Sequence, residues 1–183
     1  MKKLFRKSLL MTLVAVLLIG TFAISAEAVM KRTVKPVDLP TKKVSVANKK
    51  AATVKKGTTK LTFTQGCGYI KFVAPATKTY SFTFSNLKQP KNVEYPDYYV
   101  GFYAQVKSVK NPKKLIDKKV STKGGKAAYL KMTVNDHYPE AMPDKKVDWY
   151  EKTRTGKVKL KKGQAIYFWL DGTNKITGKL VIK

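Results

Sequence analysis

Cysteine is almost missing from this 183-residue chain, which contains only Cys67. A single cysteine cannot form a disulfide within the chain, so the fold has to be stabilised by a hydrophobic core rather than by cross-links. The flanking Gly66 and Gly68 indicate a turn or a bulge. We expect Cys67 to be buried as a small apolar side chain, with an intermolecular disulfide as the alternative.

Residue types that carry out catalysis are also scarce. His137 is the only histidine, so a cysteine–histidine dyad would have to combine it with Cys67. The residues around Cys67 match no local signature of a cysteine nucleophile. The sequence therefore predicts a protein that is not an enzyme and has no catalytic residues.

Acidic residues are few, because 11 Asp and Glu stand against 38 Lys and Arg, for a net charge of +27 at pH 7. Arginine is rare as well, and after residue 28 only Arg32 and Arg154 occur. Lysine attracts anions as a point charge, whereas bidentate recognition favours arginine. This composition favours loose adhesion to polyanions, and nucleic acid is a disfavoured partner because no nucleic-acid-binding motif accompanies the charge.

Only one long apolar run occurs, and it lies at the start of the chain. Leu9–Ile24 follows a basic stretch and precedes Ala26-Glu27-Ala28, a small-x-small pattern typical of signal-peptidase sites. We interpret residues 1–28 as a signal peptide, with an uncleaved membrane anchor as the alternative. The sequence thus predicts a secreted protein, released or loosely associated with the cell surface, without a transmembrane segment after cleavage.

Alternation of polar and apolar residues dominates the chain from about residue 59. Tyr80, Phe82 and Phe84 alternate with Ser and Thr, which predicts a half-buried strand at 79–87. Similar patterns predict strands at 61–64, 68–74, 97–107, 127–134, 157–160, 164–170 and 178–182, and no segment predicts a helix of convincing length. About eight short strands favour an all-β fold, a single jelly-roll-like β-sandwich over residues 59–183.

Residues 29–58 differ from the rest of the chain because they contain no aromatic residue and many lysines. Low hydrophobicity combined with high charge buries too little apolar surface to order a segment. We interpret 29–58 as a basic extended arm or linker, in which Lys43–Val46 is a candidate edge strand.

Residues 135–154 form an acidic and aromatic insertion in the strand pattern. Asp136, Glu140, Asp144 and Asp148 recur every four residues, but two prolines interrupt any continuous helix. Carboxylates are ligands that calcium prefers, so these four acids are weak candidates for a calcium site, and no other cofactor is expected. Alternatively, the acids only offset the lysine charge.

Several stretches share motifs with one known family. GYIKFVAPATKTYSFTFS (68–85) contains a strand that ends in a proline turn before an aromatic-alternating strand, and DYYVGFY (97–103) follows as a central strand. The closing stretches are VKLKKGQAIYFWLDG (158–172) and GKLVI (178–182). Together they resemble the strands of bacterial pre-peptidase C-terminal (PPC-like) β-sandwich domains.

The resemblance extends over about residues 59–183 and implies an accessory, binding or spacer role, usually in a secreted protein with an attached enzyme. The chain departs from the family pattern at Lys113–Lys119, where an acidic turn is common in the family. Any calcium or polar-ligand role that the family has at that turn is therefore not expected here.

We derive two functional hypotheses. The first is a non-enzymatic binding domain that a lysine-rich surface holds on an anionic cell-envelope polymer or acidic glycan, with a protein partner as a further option. Its candidate residues are Lys42, Lys43, Lys49, Lys50, Lys55, Lys56, Lys113, Lys114, Lys118, Lys119, Lys161 and Lys162. The second is a carbohydrate-binding or adhesive module that uses exposed aromatic side chains. Its candidates are Tyr99, Tyr103, Tyr138, Trp149 and Tyr150.

Overall fold

A computed structural model describes residues 28–134 and 151–183 of the chain. In these two ranges the chain forms thirteen strands and one short helix. In chain order they are β1 (Met30–Val34), α1 (Val44–Lys50), β2 (Ala52–Val54), β3 (Gly57–Phe63), β4 (Gly68–Val73), β5 (Lys78–Lys88), β6 (Tyr99–Lys107), β7 (Leu115–Asp117), β8 (Val120–Thr122), β9 (Gly125–Ala127), β10 (Tyr129–Thr133), β11 (Thr153–Leu160), β12 (Ala165–Asp171) and β13 (Ile176–Ile182).

The strands form two packed sheets. Sheet I has the order β1-β3-β13-β5-β11-β8-β9, and sheet II has the order β10-β6-β12-β4-β2, with β7 paired to the end of β6. The eight strands β3–β6 and β10–β13 give the order 3-13-5-11 in one sheet and 4-12-6-10 in the other. This is the order of an eight-stranded jelly roll. The predicted jelly-roll-like sandwich is therefore confirmed.

Aromatic side chains fill the space between the two sheets. Tyr80, Phe82 and Phe84 of β5 all have no exposed surface, as their alternation with Ser and Thr predicts. The rings of Phe84 and Phe102 stack across the sheets with centroids 3.8 Å apart, and Phe168 packs edge-on against Phe84 at 5.2 Å. Each such ring contributes about 1.5–3 kcal/mol by its burial.

Residues 29–58 belong to the sandwich, which corrects the prediction of a basic extended arm. Strand β1 extends sheet I beside β3, and β2 extends sheet II beside β4, both in parallel. Val34 and Val54 are buried in the main core. The segment has few apolar residues, but these few lie at core-facing positions, and the backbone gains hydrogen bonds from sheet edges that already exist.

The predicted edge strand at Lys43–Val46 was wrong, because helix α1 begins at Val44. Val44 and Ala47, three residues apart, lie on one face of the helix and are buried against sheet II. A seven-residue helix is not stable by itself, so this packing determines its formation. Within the described ranges, no helix is long and apolar enough to cross a membrane.

A second apolar cluster lies on the outer face of sheet II, under α1 and the chain that precedes it. Tyr69, Tyr167 and Trp169 point away from the main core and are almost fully buried there. Their polar ends are satisfied: the Tyr167 hydroxyl donates to Asn48 Oδ1 at 2.7 Å, and Trp169 Nε1 donates to the Val37 carbonyl at 2.8 Å. Sheet II is thus covered on both faces over part of its width.

Tyr69 links this cover to the sheet through a buried hydrogen-bond network. Its hydroxyl donates to Gln105 Oε1 at 2.9 Å and accepts from the Thr41 amide at 2.9 Å. Burial raises the pKa of Tyr69 from 10.0 to about 12. Because the folded form holds this proton more tightly than the unfolded chain, the unfolded chain ionises first as the pH rises.

We therefore expect the free energy of unfolding to fall between about pH 10 and about pH 12, with Tyr69 accounting for about 3 kcal/mol of the fall. In Tyr69→Phe this part of the pH dependence is removed. Urea unfolding of both proteins over this pH range measures the difference. The free energy of unfolding by which wild type exceeds Tyr69→Phe at neutral pH should shrink or reverse as the pH rises. An advantage that stays constant to about pH 12 would contradict the role given to this hydroxyl.

Candidate binding surfaces

Two of the predicted lysine pairs, far apart in the sequence, meet beside helix α1. Lys43 forms an isolated antiparallel bridge with Lys114. The Leu115 amide donates to the Lys42 carbonyl at 2.7 Å, and the Val44 amide donates to the Lys113 carbonyl at 3.0 Å. Lys42, Lys43, Lys113 and Lys114 are all exposed. The structure therefore brings the backbones of these four exposed lysines together beside α1, and we call the four residues the cationic cluster.

Three residues of the cluster, Lys43, Lys113 and Lys114, line a groove of 660 Å³ between α1 and the turn at 108–114, which we call the α1 groove. It is lined by Lys43, Val44, Ser45, Asn48, Asn111, Pro112, Lys113 and Lys114. Asn111 shapes the turn, because its Oδ1 accepts from the Lys113 amide at 3.2 Å and its carbonyl accepts from the Lys114 amide at 2.9 Å. The lining contains three lysines and no acidic residue, so it attracts anionic groups.

The other eight predicted lysines lie elsewhere, and none of them lines the α1 groove. Lys49 and Lys50 end helix α1, where positive charge is favourable for the helix dipole. The remaining pairs lie in connections: Lys55 and Lys56 between β2 and β3, Lys118 and Lys119 between β7 and β8, and Lys161 and Lys162 between β11 and β12. The structure thus brings together two of the six pairs.

A group of tyrosines lies on the part of sheet II that α1 leaves open. Tyr99 and Tyr103 share the outward face of β6, and Tyr129 of β10 is the register partner of Tyr103. The Tyr103 and Tyr129 rings stack with centroids 4.2 Å apart and planes at 26°. Tyr103 also packs against Trp169 at 5.6 Å, which connects it to the covered cluster. We call Tyr99, Tyr103 and Tyr129 the tyrosine platform.

Gly101 permits this arrangement. It lies between Tyr99 and Tyr103 on β6, and a Cβ at this position would collide with the Tyr129 ring. Glycine inside a strand weakens the strand, and a close approach of another group explains its presence. The platform is therefore built into the sequence of two strands rather than formed by chance contacts of mobile side chains.

Charged groups border the platform. Lys131 Nζ lies 3.6 Å from the centroid of the Tyr99 ring, a cation–π contact. The Tyr129 hydroxyl donates to Asp171 Oδ2 at 3.5 Å. Burial, followed by the Asp171 charge, raises the pKa of Tyr129 and of Tyr103. Both hydroxyls therefore stay protonated at neutral pH, and Tyr99, with 45% of its surface exposed, is open to solvent.

Other predicted site residues lie outside the described residues, and their predictions stay untested. They are the aromatic candidates Tyr138, Trp149 and Tyr150, the calcium candidates Asp136, Glu140, Asp144 and Asp148, and His137. In residues 28–134 and 151–183, no three His, Cys, Asp or Glu side chains come close enough together to hold a metal ion.

Cys67 is buried, as we expect for a structural thiol, and it packs in the cluster under α1. Its Sγ donates to Asp38 Oδ1 at 3.7 Å. Burial raises the pKa of the Cys67 thiol, and the Asp38 charge raises it further. A reactive cysteine needs a lowered pKa, so this environment favours an inert thiol.

Sequence reasoning missed Tyr129, Lys131 and Gly101. The strand prediction at 127–134 contains Tyr129 and Lys131, and their period-two spacing assigns both to one face. The register between β6 and β10 determines which residues of β6 lie beside Tyr129 and Lys131. That register is set by the packing of the sheets and is not visible in the sequence.

Comparison with known proteins assigns neither a family nor a function to this chain. The resemblance of residues 59–183 to PPC-like domains, which is based on their strand motifs, stays a prediction. The chain matches no protein-family model and no curated protein sequence.

Proposed function

We propose that this protein is a secreted, non-enzymatic binding domain that adheres to anionic envelope polymers or acidic glycans through its lysine-rich surface. The observation that carries the proposal is the α1 groove. Lys43, Lys113 and Lys114 line it, and backbone hydrogen bonds hold the segment with Lys42 and Lys43 against the segment with Lys113 and Lys114. Lysines held this close repel one another, and an anionic ligand relieves that repulsion.

The composition of the groove also indicates how the ligand is bound. Lysine ammonium groups and a few amide and hydroxyl groups give strong attraction with little geometric selectivity. Attraction between exposed charges acts over about 8 Å at physiological salt, so binding should weaken as salt rises. The resemblance to PPC-like domains supports the same role, because it implies an accessory function rather than catalysis.

The α1 groove can be tested by Lys42→Gln, Lys43→Gln, Lys113→Gln and Lys114→Gln in one variant. The matched control replaces Lys55, Lys56, Lys161 and Lys162 with Gln, which removes the same charge from exposed turns. In co-sedimentation with purified anionic cell-wall polymer, we expect the groove variant to bind about tenfold more weakly, since each lost ion pair is worth about 0.2–1 kcal/mol.

The control variant should bind only a few-fold more weakly than wild type, because its net charge is lower. Equal losses in the two variants would contradict a role for the groove and would leave net charge as the sole cause of binding.

The tyrosine platform favours a second candidate function, the binding of uncharged glycans. Exposed rings bind the apolar faces of sugars, and the platform places the exposed Tyr99 on one face of sheet II with the half-buried Tyr103 and Tyr129. Lys131 and Asp171 at its border provide hydrogen-bonding groups for sugar hydroxyls. This binding would be insensitive to salt, which separates it from the first proposal.

Tyr99→Ala tests the platform, and Tyr98→Ala is its control. The two tyrosines are neighbours in the chain and are 45% and 48% exposed, but only Tyr99 belongs to the platform. By affinity electrophoresis in gels containing soluble β-glucan or glycol chitin, we expect Tyr99→Ala to lose the retardation that wild type shows at high salt. Identical mobility of wild type and both variants in every gel would remove the second candidate.

A further inference from the structure

The outer face of sheet I carries a row of lysines that are direct neighbours across three strands. Lys60 of β3 is the register partner of Lys31 in β1 and of Lys179 in β13. Adjacent strands lie about 4.8 Å apart, so the three side chains leave the sheet in a line about 10 Å long. All three are exposed.

A bulge in β5 adds a fourth lysine to this face. From Tyr80 to Phe84 the even-numbered residues face the core, and simple alternation would turn Lys88 inward. Asn86 has a left-handed backbone with φ of 55°, and the register between β5 and β13 shifts there. As a result Leu87 is buried in the main core, and Lys88 lies opposite Thr177 on the outer face.

These side chains border a groove of 610 Å³, which we call the sheet I groove. Its lining consists of Lys31, Arg32, Thr33, Lys60, Leu61, Thr62, Asn86, Lys88, Thr177, Gly178 and Lys179. The guanidinium of Arg32 is already used, because it donates to the carbonyls of Thr53 at 2.8 Å and Lys31 at 3.0 Å. The Thr177 hydroxyl is used as well, because it donates to the Lys88 carbonyl at 3.4 Å, so the four lysines, Thr33, Thr62 and Asn86 remain as the polar groups of the lining.

The charge of this face is unbalanced within the described structure. The strands of sheet I contain no Asp or Glu, and none of the four lysines forms a salt bridge with a described residue. Like charges placed directly opposite one another destabilise a sheet. The row Lys31–Lys60–Lys179 therefore lowers the stability of the free protein, and a bound anion would reverse that effect.

We propose that the sheet I groove binds a linear acidic polysaccharide, with the sugar chain lying along the lysine row. This rests on the proposed function, because it names a ligand class and a further site for the same polyanion binding. Charge complementarity requires a polyanion. The threonine hydroxyls and the Asn86 amide beside the lysines match a polymer that carries hydroxyls as well as charges. The lysine spacing is also comparable to the advance of one sugar along an extended polysaccharide.

The test uses protein produced from the full 1–183 coding sequence, in wild-type form and in three variants. The sheet I variant combines Lys31→Gln, Lys60→Gln and Lys179→Gln. The α1 variant combines Lys42→Gln, Lys43→Gln and Lys113→Gln. The control combines Lys91→Gln, Lys123→Gln and Lys175→Gln, three exposed lysines that line neither groove. All three variants lose the same charge.

Binding is measured by fluorescence anisotropy with labelled polygalacturonate, which has one carboxylate on each sugar, and with labelled polyphosphate, which has charges but no sugar. We expect the sheet I variant to bind polygalacturonate about tenfold more weakly than the control variant does, because three ion pairs are lost. Its affinity for polyphosphate should fall less, because polyphosphate has no sugar hydroxyls for the threonine and asparagine side chains of the groove to hold in place. Its melting temperature should equal or exceed that of wild type, since repulsion within the row is removed.

Each of the other outcomes contradicts the sheet I site, the ligand class or the proposed function. If the sheet I variant binds like the control while the α1 variant loses affinity, the sheet I site is wrong and the proposed function stands. If the sheet I variant loses both probes equally, the ligand is not specifically a polysaccharide. If wild type binds neither probe better than an unrelated protein of equal charge, the proposed function and this site both fail.

Discussion

The structure depends on the burial of aromatic side chains on both faces of strand β12. Phe168 faces the main core, while Tyr167 and Trp169 face the opposite way and need a cover of their own. The segment before β2 provides that cover, and its polar groups bind the tyrosine and tryptophan ends. Sheet II therefore has an outer face that is largely apolar, and the cationic groups and hydroxyls of the strands accumulate on sheet I.

This asymmetry determines where binding surfaces can form. Where the cover meets the turn at 108–114, its flanking lysines are placed against a second lysine pair, which creates the α1 groove. Where the cover ends, the aromatic face stays open as the tyrosine platform. On the other side of the sandwich, exposed lysines lie in register over three strands. The cover of sheet II thus positions two of these surfaces, and the strand register of sheet I positions the third.

The sequence predicts the parts of this fold that have strong local patterns. Alternation in 79–87 identifies β5 and its core-facing rings, because a half-buried strand requires period two. The helix at Val44–Lys50 and the strands β1 and β2 could not be predicted in this way, since they are ordered by contacts with a core formed elsewhere. Pairs of consecutive lysines are visible in the sequence. Consecutive residues of a strand face opposite sides of the sheet, so such a pair within a strand does not identify a shared surface. The lysine row and the outward turn of Lys88 depend instead on register and on a bulge.

The central claim is that binding uses defined lysine grooves rather than the overall positive charge. Lysine acetylation, followed by mass spectrometry with and without polygalacturonate, measures the protection of each side chain. Protection should concentrate at Lys31, Lys60 and Lys179 and at Lys42, Lys43, Lys113 and Lys114, while Lys91, Lys123 and Lys175 react as in the free protein. Uniform protection of all exposed lysines would contradict the claim and would show that the polymer recognises net charge alone.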